Sequence, residues 1–403
     1  MIEKLAFKNF GPLKDIQWNN LGKINLVIGG NGSGKTFLLK AIYCSLRTIE
    51  EYKRGQEPRS AAEILASKLY WTFQAEKIGD LVSKGSKSSL SSSLTIKERI
   101  FSCSLDGIHL NKYPYSFGRD TSQQISLLLH NIIPRKSNSI FLPSKEVLSI
   151  IPVILKSREQ DKVFGFDDTY FDLARVMIPL SVLNLVYEDN EIRNRFINYV
   201  LTDLEKDRTV DESVKVEVSN LIETVYKKLH SELKNQKKKE RIASRSLNEY
   251  RLKIRNIIDG SIEFDNNSNN WLFVKGRNKF PMGLTAEGIK KIGIFDILLA
   301  SGYIDSGSII LIDEPEANLH PTAISQLLDI VVLLAESGMQ FFMASHSYFV
   351  VKKLYLIAQE RGWSIPVLSH DDGEWKMDDL KEGMPDNPII QEAINLYKQE
   401  MDM

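Results

Sequence analysis

Eight consecutive residues, Gly29-Gly30-Asn31-Gly32-Ser33-Gly34-Lys35-Thr36, match the pattern G-x-x-x-x-G-K-[ST] without a mismatch. Glycines at this spacing let successive backbone N–H groups turn inward around phosphate oxygens, and a helix starting at the lysine adds its positive end. In such a cradle Gly29, Asn31, Gly32, Ser33 and Gly34 line the phosphates. Lys35 reaches the β- and γ-phosphates, and the Thr36 hydroxyl ligates Mg²⁺. A second constellation is Ser308-Ile-Ile-Leu-Ile-Asp313-Glu314-Pro315, an apolar run that delivers two carboxylates at its end. Asp313 suits Mg²⁺, directly or through water, and Glu314 suits the polarisation of an attacking water. A third is Gln340-Phe-Phe-Met-Ala-Ser345-His346-Ser347, where His346 is placed to hydrogen-bond a γ-phosphate. Taken singly, a tight glycine turn, an acid-capped strand and a structural histidine explain these segments as well. Their occurrence in this chain order points to phosphate chemistry.

Each group needs an element to present it. Residues 24–28 form a β-branched run ended by glycines, and Phe37, Leu38, Leu39, Ala41, Ile42 and Leu46 recur at helical spacing. The segment 24–48 therefore reads as strand, loop, helix. The carboxylates end a strand at 308–312 followed by a helix over 321–336. His346 follows a strand at 340–344 and precedes a helix after Tyr348, with a final strand near 365–369. Upstream, Ile2, Leu5, Phe7 and Phe10 mark a strand that bends at Gly11-Pro12 into a second near Ile16 and Trp18. A strand is expected at Ser139 to Leu142, short strands around Ile262 and Trp271, and a helix from about 285 to 300. The serine-rich stretch 82–93 reads as a flexible loop. From about 145 to 258 the chain has few glycines and prolines and repeats Leu, Ile and Val at helical spacing. The expected organisation is an α/β head split between 1–144 and 261–403, its mixed sheet assembled from both chain ends, with a helical insertion at 145–260.

Composition narrows the options. The 403 residues carry 52 Lys plus Arg and 52 Asp plus Glu, so any nucleic-acid contact must come from a local patch. One candidate exists: between Lys227 and Arg255, eleven Lys and Arg face three Glu. Such a run neutralises phosphates or is simply a solvated helix face. With two cysteines, Cys44 and Cys103, a disulfide framework is excluded. No run approaches the roughly 18 apolar residues of a membrane span, and the start does not read as a signal peptide, so a soluble, cytoplasmic protein without a membrane partner is expected. The six histidines are scattered, and neither a zinc spacing nor a serine nucleophile elbow is present.

The order Gly29–Thr36, Ile309–Pro315, Ala344–Ser347 resembles the ABC-type ATPases of the SMC, Rad50, RecF and OLD-like class. The opening Leu5-Ala-Phe-Lys-Asn9-Phe10-Gly11 is similar to their first strand. Asp313-Glu-Pro-Glu-Ala-Asn-Leu-His320-Pro321 looks more like the OLD-type segment than that of transporter subunits. The resemblance covers residues 1 to about 48 and 280 to 370, and the middle only in architecture. It implies an ATPase using ATP and Mg²⁺, with two heads closing on the nucleotide and a signature loop contributed across the dimer. The local candidate for that loop is Leu284-Thr-Ala286-Glu287-Gly288-Ile-Lys-Lys291, which departs from Leu-Ser-Gly-Gly. Gln123 or Gln124 is the candidate for the glutamine loop. The insertion is too short for SMC-length arms. The 57 residues after His346 offer only the pairs Asp371-Asp372 and Asp378-Asp379, in turn-like sequence, for the Toprim metal site that OLD nucleases carry.

The implied function is thus an ATP-driven homodimer or higher oligomer serving as sensor or scaffold for a separately encoded nuclease or toxin. Stand-alone ATPases with this motif set resemble components of the Septu, PARIS and retron-associated anti-phage systems. The alternative is a repair or recombination clamp that grips DNA through Lys227–Arg255. A transporter subunit and a purely structural nucleotide are the remaining readings.

Overall fold

The computed structural model describes residues 1–54, 59–84, 89–97, 99–105, 125–128, 134–179, 247–268 and 270–403. They divide into two compact units. The first comprises Met1–Arg175, Ala286–Ile292 and Ile304–Met403, and the second Val176–Thr285 and Gly293–Tyr303.

In the first unit β1 (Ile2–Phe10) turns into β2 (Leu13–Trp18), and β3 (Ile24–Gly29) leads through the glycine loop into α1 (Lys35–Glu51) and then α2 (Ala61–Phe73). β4 (Leu90–Ile96), β5 (Arg99–Leu105) and β6 (Ile125–Leu128) complete an antiparallel sheet of order β2-β1-β4-β5-β6. After β7 (Ser139–Leu142) come α3 (Ile151–Glu159) and α4 (Asp168–Val176). The second unit begins at the end of α4. Its described part holds a helix over 247–258, α5, and the hairpin strands β8 (Ser261–Asp265), β9 (Asn270–Lys275) and β10 (Asn278–Pro281). The helix α6 (Glu287–Ala300) follows. The chain closes with β11 (Ile309–Asp313), α7 (Pro321–Glu336), β12 (Gln340–Ser345), α8 (Tyr348–Arg361), β13 (Pro366–Asp371), β14 (Glu374–Asp379) and α9 (Pro388–Met401).

A six-stranded sheet of order β14-β13-β3-β12-β11-β7 joins the two chain ends, as expected. Its four pairings from β13 to β7 are parallel, and β14 adds an antiparallel edge. β3, β11 and β12 are buried at every residue, which explains why they read as continuous apolar runs instead of alternating ones. Gln340, at the start of β12, fixes β1 to this sheet: its side-chain oxygen accepts from Ile2 N–H at 2.7 Å and its nitrogen donates to the carbonyls of Ile2 and Gly22 at 2.9 Å.

α1 is the centre of the core. Leu38, Leu39, Ala41, Ile42, Leu46 and Ile49 pack in one cluster with Phe7, Leu13 and Trp18 of the antiparallel sheet and with Val27, Ile309, Leu311 and Phe342 of the parallel one. Burial on so many sides brings charges inside. Lys68 of α2 reaches Asp172 at 2.8 Å, Asp168 at 3.1 Å and Glu51 at 3.1 Å, while Tyr43 donates to Asp172 at 2.6 Å and Arg47 lies 3.4 Å from it. Burial alone would raise the Asp172 pKa, but Lys68 and Arg47 outweigh it and hold the carboxyl well below the usual range. Glu50, fully buried, pairs with Arg135 and accepts from Ser139 N–H at 3.0 Å and its hydroxyl at 2.7 Å.

Two expectations are corrected. The serine-rich stretch is not all loop, because Leu90–Ile96 forms β4, with Leu90, Ser92 and Leu94 buried at alternate positions. Its small hydroxyls fit a packed face: Ser92 Oγ lies 2.9 Å from Cys103 Sγ across the sheet. Of the aspartate pairs near the end, Asp378-Asp379 sits in β14 and not in a turn, whereas Asp371-Asp372 leads into the β13–β14 hairpin turn, formed by Asp372 and Gly373, both at positive φ. The glutamine-loop candidates Gln123 and Gln124 and the bulk of the helical insertion lie outside the described residues. No helix among the described residues is long and apolar enough to cross a membrane.

Asp172→Ala should cost about 3–5 kcal/mol, because it leaves Lys68 with a lost partner in a buried setting. Urea unfolding monitored by far-UV circular dichroism reads this directly, and a loss below 1 kcal/mol would show that the network contributes little.

Candidate active site

The glycine loop sits at the carboxyl end of β3, where ligands of open parallel sheets bind. Gly34 adopts φ 93° with Pro12 only 3.2 Å from where a Cβ would stand, so a side chain here is both strained and crowded. Gly30 and Gly32 face open space, as a loop that wraps a ligand requires. α1 then begins with no side-chain cap and no acidic residue in its first turn. Its first N–H groups and positive dipole end are left available to an anion. Ser33 Oγ is buried and without a hydrogen-bond partner. Lys35 Nζ donates to the carbonyls of Gly29 and Gly30, both at 2.8 Å, so the ammonium lies across the loop. Burial lowers its pKa, against the pull of Glu314, Asp313 and Glu316.

Two strands away, β11 ends in Asp313, and between them β12 ends just before His346. This order brings the three motifs to one sheet edge. The Thr36 hydroxyl lies 2.9 and 3.0 Å from the two Asp313 oxygens. Burial pushes the Asp313 carboxyl up to about 6, the Thr36 hydrogen bond opposing and the nearby Glu314 adding to the rise. A buried carboxylate with too little positive charge around it, touching a hydroxyl at a helix start, is a fitting donor pair for a divalent cation. Glu314 stands at φ 47°, a left-handed conformation uncommon for a non-glycine residue. Its N–H donates to the Ala344 carbonyl at 2.9 Å, and its carboxylate reaches to 3.6 Å from His346 Nδ1.

The signature-loop candidates lie elsewhere in the network. Glu287 opens α6 and accepts from Lys290 at 2.9 Å. Gly288 allows α6 to approach α7 closely, since a Cβ there would meet Ala323 Cβ at 3.0 Å. Among the described residues, no hydrogen bond or ion pair joins Ala286, Glu287 or Gly288 to Gly29–Thr36. Two residues to which motif spacing assigns no role are part of the site. Lys291 donates to the Ala317 carbonyl at 2.9 Å and the Glu314 carbonyl at 3.3 Å, holding the turn after β11 from the α6 side. Burial lowers its pKa against the attraction of Glu316, Glu287 and Glu314. Glu316 accepts from the Ser345 hydroxyl and the His346 N–H, each at 2.9 Å. Of the basic run, only Arg251, Lys253 and Arg255 fall within the described residues. Arg251 and Arg255 both bind Asp296, at 2.7 and 2.8 Å, and Lys253 pairs with Glu249 at 3.0 Å.

A strand, glycine loop and helix bearing Lys35 and Thr36, with Asp313-Glu314 at the same edge, make up a P-loop site on an α/β sheet. Comparison with known proteins gives the following. A family model described as "AAA domain, putative AbiEii toxin, Type IV TA system" matches residues 202–352, which include Asp313, Glu314 and His346. An ATP/GTP phosphatase of Helicobacter pylori is 22% identical over 375 residues, covering 90% of this chain and 90% of that protein. Among solved structures, the Smc head domain of Pyrococcus furiosus bound to the C-terminal domain of ScpA is similar over 99% of both chains, at 14% identity and a TM-score of 0.42. The SMC head domain of Thermotoga maritima is similar over 94% of this chain and 98% of that one, at 12% identity and a TM-score of 0.39.

The raised Asp313 pKa predicts a pH dependence in the free protein. Below about pH 4 the carboxyl is protonated whether the chain is folded or not. As pH rises through about 6 the folded state must ionise a buried group, and that contribution to stability is lost. Asp313→Asn removes the penalty, so its melting temperature should gain on the wild type from pH 4 to pH 8 while stabilisation by Mg-ATP disappears. A pH-independent difference between the two melting curves would refute the assignment.

Proposed function

We propose that the chain is an Mg²⁺-dependent ATPase that binds ATP at Gly29–Thr36 and hydrolyses it to ADP and phosphate. The observation that carries this reading is the meeting of Thr36 with Asp313 beside Glu314 and His346, at the edge where the glycine loop opens. The phosphatase name of the Helicobacter pylori relative supports it. Asn31, Gly32, Ser33 and Gly34 would cradle the phosphates, and Lys35 would leave its two carbonyls for the β- and γ-phosphate oxygens. Thr36 and Asp313 would hold Mg²⁺, which when bound neutralises charge on those oxygens. Glu314, whose side chain is 37% exposed, would orient water and take its proton, and His346 would donate to the γ-phosphate.

The rest of the proposal concerns assembly. Two copies would close head to head on ATP, with Ala286, Glu287 and Gly288 of one facing the phosphates held by the other. In that state the dimer would serve as sensor or scaffold for a separately encoded nuclease or toxin in bacterial anti-phage defence. The toxin-system wording of the matching family is in keeping with such a setting. The DNA-clamp alternative gains nothing from the described part of the basic run, whose arginines are spent on Asp296.

Glu314→Gln should lower kcat about a hundredfold or more, the usual effect of losing a positioned base, with nucleotide affinity unchanged. By light scattering with Mg-ATP, this variant should persist as a dimer where the wild type returns to monomer. Turnover at the wild-type rate, or no change of mass with ATP in either protein, would overturn the reading.

A further inference from the structure

We propose that Glu316 is the positioning residue for His346, fixing through a buried carboxylate which ring nitrogen the histidine offers to phosphate. The inference rests on the ATPase reading of the site. Two carboxylates approach the same imidazole, and they differ in kind. Glu314 is 37% exposed, open to water and substrate, and 3.6 Å from Nδ1. Glu316 is 8% exposed and 3.4 Å from Nδ1, and the same Oε1 atom accepts from the His346 N–H and from the Ser345 hydroxyl. One oxygen therefore binds the histidine's backbone N–H and lies within 3.4 Å of its ring nitrogen.

The His346 side chain is itself 46% exposed, so packing on its outer side does not orient it. Orientation must come from within, and Glu316 is held firmly enough to supply it. The Ala317 N–H donates to the Glu314 carbonyl at 2.9 Å and the Leu319 N–H to the Glu316 carbonyl at 3.0 Å, which makes residues 314–319 a closed turn. Lys291 clamps that turn at Glu314 and Ala317. Among the carboxylates acting on the partly buried Lys291 ammonium, Glu316 acts most strongly. On the other side the Ser345 hydroxyl, while donating to Glu316, accepts from Ser347 N–H at 3.0 Å. The start of α8 is thereby tied to the same carboxylate.

With Nδ1 on the Glu316 side, a proton there is held by the carboxylate and Nε2 is the nitrogen left for a phosphate oxygen. This is the arrangement by which a carboxylate behind a histidine fixes its tautomer. Glu316 touches neither substrate nor reacting atoms in this scheme. It acts only through His346.

The test combines kinetics with a spectrum that needs no turnover. Glu316→Ala should lower kcat about as much as His346→Ala, on the order of a hundredfold, with KM little changed. In the double variant the second substitution should add less than about a twofold loss, because residues acting as a unit are non-additive. Glu316→Gln, which keeps the accepting oxygen, should retain most of the rate. Long-range ¹H–¹⁵N spectra of the histidine rings, with His346 identified by its absence in His346→Ala, should show an Nδ1–H tautomer in the wild type that is lost in Glu316→Ala. Multiplicative losses in the double variant, wild-type turnover in Glu316→Ala, or an unchanged His346 spectrum would overturn the assignment. Should Glu316→Ala fail to fold, Ser345→Ala removes one of the two bonds and should give a smaller loss that again vanishes in the His346→Ala background. A wild type that hydrolyses no ATP sinks the ATPase reading instead, and the spectrum still decides whether Glu316 sets the ring.

Discussion

Thr36 and Asp313 are 277 residues apart in the chain and 2.9 Å apart in the molecule. Bringing them together requires one sheet to take strands from both ends of the sequence. Closing so long a loop is entropically unfavourable, though the cost grows only slowly with length. The offset lies in β3, β11 and β12, buried at every residue, and in α1, which is packed against both sheets. Hydrophobic burial thus sets the position of one hydroxyl relative to one carboxylate. The glycine loop, the turn at 314–318 and the histidine after β12 all depend on that placement.

The same burial creates an electrostatic problem that the molecule resolves in two ways. Around α1 the buried charges are neutralised within the fold: Lys68 faces three carboxylates, and Glu50 has Arg135 and Ser139. At the sheet edge the balance is incomplete. Asp313, Glu314 and Glu316 crowd near Lys35 and Lys291, and Asp313 is left with a carboxyl that ionises only near neutrality. Internal pairing makes a rigid support, whereas incomplete pairing makes a site that gains when cation and phosphate arrive together. Perturbed groups gather where function requires them, and here they lie within a few residues of one another.

Much of this was legible in the residues. The loop Gly29–Thr36, the carboxylates at 313 and 314 and the histidine at 346 lie on the elements that periodicity assigned to them, because buried parallel strands read as unbroken apolar runs and α1 carries a clear helical pattern. The β4 strand was obscured by composition: serines that suggest a loop are small enough to alternate in a packed antiparallel face. Ser60-x-x-Glu63 is a capping box readable without any structure, and it starts α2, which apolar spacing alone does not single out. Glu316 and Lys291 were hidden for a different reason. Each lies inside a segment whose neighbours carry the recognised chemistry, and their contacts are to residues distant in sequence. Only the folded turn reveals them.

The left-handed turn at Glu314 has one more consequence. A glutamate at φ 47° carries a conformational cost of about 1 kcal/mol that glycine would avoid, and Asn318, at φ 59°, is of a type that tolerates the same region. Position 318 is thus occupied by a residue suited to its backbone, and position 314 by one suited to its carboxylate. Directed evolution that scores heat resistance alone would drift toward glycine at 314 and discard the carboxylate in doing so. The backbone at that residue therefore records a compromise in which the fold gives up stability to keep a charged side chain at the sheet edge.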